Sequence, residues 1–500
     1  MEKDTFYLTT PIYYVNRKPH LGTVYSTVAA DVLARFKRMQ GKDVFFLTGS
    51  DEHGEKIAMT ALKEGKEPKE WVDEMVAQYK LLWDRLEISY NNFIRTTDEK
   101  HFEVVKKVLE ILKEKNLIYQ GVYIGLYCLE CERYYTEKEL VNHHCPFHPQ
   151  KKIISLEEKC YFFKLGTFHD ALFKLIEKGE LKIEPEKRRN EVLGFLKTEK
   201  LEDLAISRQK VKWGIPLPFD STQTIYVWVD ALLNYLSGLN WQENFKKIPK
   251  YWPPDCQILG KDILRFHSFL WPALLLALEL PLPRLLFVHG FLTQEGQKMS
   301  KSVGNIIEPD KSIEVFGSEA TRYLLLSAIS FGEDGDISLS KFYDVYNAEL
   351  ANGFGNLLSR VLALAYEKEF KFKENEEVKE KLEAIWQRYE ENMEKLKFNH
   401  SLEIFQNLIS FADLKINKKE PWKLEKNNPE EFKEVIYSLL EILRHLSLMI
   451  MPYLPEKSVE ALEVLGAGGE LKKSLKEAQQ YGGIKIYKIS KKLGKIFPRL

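Results

Sequence analysis

The sequence predicts an α/β fold in which a parallel sheet is split by an insertion and followed by a helical bundle. Three observations predict it. The first fifty residues read strand, loop, helix, strand. Short strand-like pieces and a Cys/His cluster interrupt that pattern from about Tyr119 to Thr224. From Tyr346 onward strand signals nearly vanish. A strand–helix–strand run of this length is a βαβ unit, and its crossover implies parallel pairing.

Taken in order, Thr5–Thr10 is rich in β-formers and Pro11–His20 is a loop carrying Pro and Tyr. Leu21–Met39 places Val24, Val28, Val32, Leu33 and Phe36 near helical spacing and stops before Gly41. Val44–Thr48 is the next strand, and residues 99–118 form a second amphipathic helix. Ile225–Val229 and Gln257–Leu259 read as strands again, each followed by a helix, so the sheet resumes after the insertion. Asn375–Lys397, Leu402–Asn417 and Pro429–Met451 are long charged helices suited to a bundle. From Lys472 onward there are nine Lys/Arg and one acid, Glu477.

Composition narrows the class. A chain of 500 residues is too long for one core and predicts roughly two to four domains. With 44% hydrophobic and 29% charged residues, disordered, collagen-like and disulfide-knot classes are excluded. Lys+Arg and Asp+Glu both number 73, which excludes a globally basic nucleic-acid coat but permits a local basic stripe. The apolar stretch His267–Leu278 is too short for a membrane span, and the first residues carry no signal-peptide core. A cytoplasmic protein without membrane partners is expected.

Two of the five cysteines, Cys160 and Cys256, read as small buried apolar residues. The other three form Cys128-x-x-Cys131 and, 13 residues on, Cys145-x-x-His148. Two knuckles at this spacing supply a closed tetrahedral Cys3His site for one structural Zn2+. His143 and His144 compete for the fourth position, which His148 fills with the same two-residue gap as the first knuckle.

Two further motifs carry chemistry. Pro19-His20-Leu21-Gly22-Thr23 lies between the first strand and its helix, where unpaired N–H groups and the helix dipole attract phosphate. Lys298-Met299-Ser300-Lys301-Ser302, flanked by Gly296 and Gly304, is a cationic loop able to close on a polyphosphate.

In this order the two resemble the HIGH and KMSKS motifs of class I aminoacyl-tRNA synthetases. Thr9-Thr10-Pro11-Ile12-Tyr13-Tyr14, Asp51-Glu52-His53-Gly54, Tyr226-Val227-Trp228-Val229-Asp230-Ala231 and Gly260-Lys261-Asp262-Ile263 look like the methionyl branch. So do Asn356-Leu357-Leu358-Ser359-Arg360 and Pro421-Trp422. Rival readings are another class I synthetase or a related nucleotidyltransferase. The isoleucyl, valyl and leucyl enzymes carry a much larger insertion, and a nucleotidyltransferase needs no helical domain.

The resemblance implies a Rossmann-like catalytic domain in two halves, 1–118 and 225–288, separated by a connective-peptide insertion with the zinc knuckle at 119–224. It further implies a KMSKS stem-contact segment at 289–345, a helical anticodon-binding domain at 346–465 and a basic tail at 466–500. The activity implied is methionine–tRNA ligation with ATP, L-methionine and tRNA(Met), Mg2+ accompanying ATP. A monomer, alone or helped by a separate tRNA-binding subunit, is expected.

Residue by residue, the resemblance places Pro11, His20, Gly22, Thr23, Lys261, Asp262, Lys298, Met299, Ser300, Lys301 and Ser302 at ATP. Among them His20, Thr23, Lys298 and Lys301 act on the transition state. Thr23 departs from the family's second His. It offers one hydroxyl and no charge, and it suits a helix's first turn equally well as a structural residue. Methionine is assigned Ile12, Tyr14, Asp51, Trp228, Ala231, Leu232, Tyr235, Ile263, His267 and Trp271, with Asp51 facing the α-ammonium and the Tyr235 hydroxyl donating to sulfur. Asn356, Arg360, Pro421 and Trp422 are assigned to the anticodon. The matching subtype takes His148 as the fourth zinc ligand.

Overall fold

The computed structural model describes residues 4–135, 137–294, 297–298, 307–491 and 494–500, with no side chain described at 138, 297 or 298. Strand β1 (Thr5–Tyr14) is buried on both faces from Phe6 to Thr10, as a central parallel strand requires. Helix α1 (Leu21–Met39) returns the chain to β2 (Asp43–Asp51), and Gly41, at φ +87°, makes the left-handed turn that ends it. The β1–β2 register shifts between Thr9 and Ile12, where Pro11 has no N–H for the ladder. β2 leads into α2 (Glu55–Lys63) and later β3 (Asn92–Arg95).

The insertion is built on an antiparallel ladder between β4 (Ile118–Cys128) and β5 (Ile154–Phe163), running from Ile118 opposite Phe163 to Tyr127 opposite Ile154. It also returns β6 (Lys182–Glu184) to the main sheet, although this strand lies within 119–224. Three residues are too few to show a period. With β7 (Cys256–Gly260) and β8 (Leu285–His289) the sheet order is β3-β2-β1-β7-β8-β6, all parallel.

Ile225–Val229 is not a strand. Asp220–Ile225 ends a small antiparallel sheet, and α3 (Val227–Leu232) begins two residues later. A short buried apolar run has the same pattern in either structure, so periodicity could not separate them.

After α4 (Ser318–Ser327) the chain is mainly helical: α5 (Asn356–Ala365), α6 (Glu376–Glu394), α7 (Phe398–Lys419), α8 (Pro421–Asn427) and α9 (Pro429–Ile450). Asn375 caps α6 by accepting the Val378 N–H at 3.1 Å. α9 is buried almost all round and forms the bundle's axis. The basic tail lies back on the bundle: Ile486–Lys488 pairs with Glu369–Lys371, and Tyr487 is buried. Sheet and bundle share one core, joined where Arg322 of α4 reaches Asp31 of α1 and the carbonyls of Pro452 and Tyr453. Among the described residues no helix is long and apolar enough to cross a membrane.

Candidate active site

β1, β2 and β7 are neighbours in the parallel sheet, and such sheets bind ligands in the crevice beyond their carboxyl ends. His20, between β1 and α1, is the N-cap of α1, extended at φ −129° and ψ 170°. Its Nδ1 accepts the Gly22 N–H at 3.1 Å, and its own N–H donates to Thr23 Oγ1 at 3.3 Å. A Cβ on Gly22 would sit 3.0 Å from the imidazole, so glycine lets the ring fold over the turn. Thr23 is therefore half of a reciprocal cap, which the sequence had left open beside a phosphate role.

Beyond β7, Lys261 and Asp262 begin a short turn. Lys261 Nζ is paired with Asp334 at 2.6 Å, and Asp334 also accepts the Phe291 N–H at 2.8 Å. This pair ties the end of β7 to the strand Leu292–Gln294, on which Lys298 pairs through its backbone opposite Thr293. Met299, Ser300, Lys301 and Ser302 lie outside the described residues.

Part of the set assigned to methionine is brought together: Tyr235 touches His267 and Trp271, and Ile12, Trp228, Leu232, Tyr235 and Trp271 belong to one apolar cluster. Ile12 and Tyr14 end β1, Asp51 ends β2, and Trp228, Ala231 and Leu232 lie on α3. Ile263, His267 and Trp271 come from the turn after β7 and the helix beyond. His267 Nδ1 lies 3.0 Å from the Ile263 carbonyl, which can only accept, so the neutral ring is protonated there. Burial pushes its pKa down to about 4. Nε2 is then the acceptor for the Tyr235 hydroxyl at 2.8 Å. The Tyr235 hydroxyl, expected at the methionine sulfur, is bonded here to His267. The wholly buried Trp271 packs 5.4 Å from the Tyr235 ring and donates to Gln257 Oε1 at 2.9 Å. Trp228 stacks on Phe266, 3.9 Å between centroids and 8° from parallel.

Asp51 Oδ1 is buried with no hydrogen-bond partner among the described residues, and the buried Tyr14 hydroxyl lies beside Glu132. Burial, then Asp230, Glu132 and Glu52, push the Asp51 carboxyl well above the usual range. Asp230 behaves oppositely. Burial disfavours its charge, yet His53 and His101, each 2.7 Å from it, outweigh that and hold it below the usual range. This buried His–Asp–His array, with His101 also bonded to Ser237 at 2.7 Å, was not legible from spacing because it joins four segments. Phe266, Asp334 and Glu132 were likewise missed.

The cysteine cluster forms as expected. Cys128, Cys131, Cys145 and His148 hold their ligand atoms within 4.8 Å of one another. Cys131 and Cys145 sulfurs are 3.5 Å apart, and His148 Nδ1 is 3.8 Å from Cys145 and 3.9 Å from Cys128. Ligands about 2.3 Å from a tetrahedral centre lie about 3.8 Å from each other, so the set fits zinc. His144 turns to the Asn142 carbonyl at 2.7 Å, and His143 is exposed.

In the bundle, Trp422 is 46% exposed on α8, just after Pro421 at the helix start. Asn356 is exposed at the start of α5, and Arg360 one turn on is paired with Asp413 at 2.9 Å. Lys368 joins the two helices, donating to the Leu364 carbonyl at 3.0 Å and to Glu425 at 2.6 Å.

The family model "tRNA synthetases class I (M)" matches residues 6–155 and 139–362. The methionine–tRNA ligase of Caldanaerobacter subterraneus is 43% identical over 100% of this chain and 79% of its own length. That of Thermotoga maritima is 39% identical over 96% of this chain and 78% of its own. The solved Mycobacterium tuberculosis methionyl-tRNA synthetase in complex with methionyl-adenylate superposes with a TM-score of 0.94 at 33% identity, covering 99% of this chain and 100% of that one. With the sheet, the crevice and full-length similarity in agreement, the chain belongs to the class I tRNA synthetases, in the methionine–tRNA ligase family.

Proposed function

We propose that this crevice joins L-methionine to ATP, giving methionyl-AMP and pyrophosphate, and passes the methionyl group to the terminal adenosine of tRNA(Met). One observation carries the amino-acid half: Asp51, at the end of β2, keeps a buried carboxylate oxygen without a hydrogen-bond partner among the described residues, while Ile12, Trp228, Leu232, Tyr235 and Trp271 belong to one apolar cluster. That pairing suits an ammonium whose side chain is apolar and uncharged. Ile12, Trp228, Ala231, Leu232, Ile263, His267 and Trp271 give the side chain its shape. The methionyl-adenylate held by the Mycobacterium tuberculosis relative supports the same reading.

The methionine carboxylate attacks the α-phosphate in line, so the protein supplies position and charge and no nucleophile. Pro11, His20, Gly22 and the amino end of α1 receive the phosphates, with Lys261 and Asp262 toward the ribose. Lys261 reaches it by leaving Asp334. Lys298 and Lys301 bring positive charge to the transition state, on a loop completed by Met299, Ser300 and Ser302. Mg2+ enters with ATP and offsets phosphate charge. Zinc, held by Cys128, Cys131, Cys145 and His148, supplies a cross-link to an insertion too small for its own core. Asn356, Arg360, Pro421 and Trp422 read the anticodon, and the protein works in the cytoplasm. The test is ATP–pyrophosphate exchange with each of the twenty amino acids. Methionine alone should support strong exchange, and strong exchange with a different one would overturn the assignment.

A further inference from the structure

Asp230 is wholly buried on α3 and shares its carboxylate between two imidazoles. Its Oδ2 is 2.7 Å from His53 Nδ1, its Oδ1 is 2.7 Å from His101 Nε2, and His101 Nδ1 is 2.7 Å from the Ser237 hydroxyl. All four residues are at most 3% exposed. None has a task in the attack on the α-phosphate.

What they join is specific. His53 follows Asp51, the end of β2, by two residues. Asp230 shares the six-residue α3 with Trp228, Ala231 and Leu232. Ser237 shares the helical turn Asn234–Ser237 with Tyr235. Three of the four segments thus carry residues assigned to the amino acid, and the fourth is the sixteen-residue helix Glu99–Glu114. The segment after Asp51 is also held by the end of β3. The Glu52 carboxylate accepts two N–H groups of Arg95 at 2.6 and 2.8 Å, and the Glu52 N–H donates to Thr96 Oγ1 at 2.9 Å.

A helix of six residues makes few backbone bonds of its own, so its place is set by what it packs against. Apolar contact alone leaves such a helix free to slide or to turn about its axis. Two hydrogen bonds to one carboxylate, from different elements, fix both, and a buried polar network holds only the arrangement that satisfies every member. A carboxylate here costs desolvation that an apolar residue of similar size would avoid, so packing does not account for it.

We propose that Asp230 is a specificity-determining positioning residue. Through His53 and His101 it sets the span between Asp51, the ammonium partner, and the α3 residues that meet the side chain, which makes the site a gauge of side-chain length. The inference rests on the crevice being the methionine site.

L-Methionine and L-ethionine carry the same ammonium, carboxylate and thioether and differ by one methylene. Any change in ionisation at Asp51 therefore cancels in the ratio of their kcat/KM values. A methylene in an apolar pocket is discriminated about 10- to 200-fold. In Asp230→Asn, read by ATP–pyrophosphate exchange, the preference for methionine should fall about 10-fold, through a raised methionine KM with the ATP KM near wild type. Equal loss for both amino acids, or an unchanged preference, would make the array a support for the fold and overturn the inference. Where Asp230→Asn is unfolded or inactive, Ser237→Ala decides. Removing only the outer bond should lower the preference by about 2- to 5-fold, and an unchanged preference overturns the inference. Absence of methionine-dependent exchange in the unaltered protein would overturn the methionine reading itself, and this inference with it.

Discussion

Arg322 Nη2 donates to Asp31 Oδ2 at 2.6 Å, and neither side chain reaches solvent. The same guanidinium donates to the carbonyls of Leu86, Pro452 and Tyr453 at 2.9, 2.9 and 3.0 Å. Arg322→Ala should therefore leave a buried carboxylate and three carbonyls short of a donor, costing about 3–5 kcal/mol in denaturant unfolding. Burial works against the Asp31 charge, but Arg322, Arg35 and Ser89 outweigh it and hold its pKa below the usual range. A depressed acid contributes stability that is present above its unfolded value and lost as pH falls through the folded one. Wild-type stability should thus decline below about pH 4, and the variant should show less of that decline.

Zinc should be measurable at one per chain by metal analysis, and Cys131→Ser should lower that content and loosen residues 119–224 to proteolysis. The sulfur–sulfur and sulfur–nitrogen spacings leave no room for a fifth group, so the metal should be removable by chelator only with loss of stability. Undiminished zinc in a Cys128/Cys131 double substitution would refute the ligand set.

Asp51→Asn should weaken methionine binding by about 1.5–3 kcal/mol while ATP affinity stays close to normal. In the free protein, burial and the carboxylates Asp230, Glu132 and Glu52 hold the Asp51 proton on. A bound ammonium favours the ionised form, so binding releases a proton. Apparent methionine affinity should then rise with pH above the ordinary aspartate value of about 4, and Asp51→Asn should flatten that rise. Calorimetry in buffers of different ionisation enthalpy reads the proton directly.

Much of this was legible in the sequence, for identifiable reasons. The β1–α1–β2 unit shows because α1 keeps its apolar residues on a helical period and ends at a glycine. The metal cluster shows because all four ligands fall within one short segment. The KMSKS-like loop is legible as a motif although residues 299–302 lie outside the described structure. Other features depend on contacts no local pattern encodes. β6 is three residues long, Asp230 gathers imidazoles from two other segments, and the Cys131 and Glu132 carbonyls are held by Trp228 and Tyr226, about a hundred residues away. That the Tyr235 hydroxyl meets His267 Nε2 could not be placed from spacing, because the two residues lie on separate elements.

Thr23→Val removes the oxygen that accepts the His20 N–H, half of the cap on α1. Thermal unfolding should show a loss of about 0.5–2 kcal/mol, the usual worth of such a cap. Thr23→Ser, which keeps the hydroxyl, should recover most of it. The adenylation rate should follow stability and not fall further. A rate loss in Thr23→Val with stability unchanged would show that the hydroxyl serves phosphate and not the helix.

The anticodon lies at the far end of the tRNA from the amino acid, so a reader of it must stand away from the crevice. Unpaired bases are bound by stacking on aromatic rings and by bonds to their edges. Trp422 offers such a ring: it is 46% exposed, and Pro421 fixes the helix start before it. Lys368 holds α8 against the end of α5, the helix that carries Asn356 and Arg360. Arg360 is paired with Asp413, which fixes the direction of its guanidinium before any base arrives. Stacking contributes about 1–3 kcal/mol per base. Trp422→Ala should therefore reduce tRNA charging by about 5- to 150-fold. Because the ring is half exposed, unfolding and methionine-dependent pyrophosphate exchange should stay near wild type. Asp413→Ala should act more mildly and in the same direction, by releasing Arg360. Loss of exchange together with charging would make Trp422 a support for the fold, and unchanged charging would move anticodon reading to another face of the bundle.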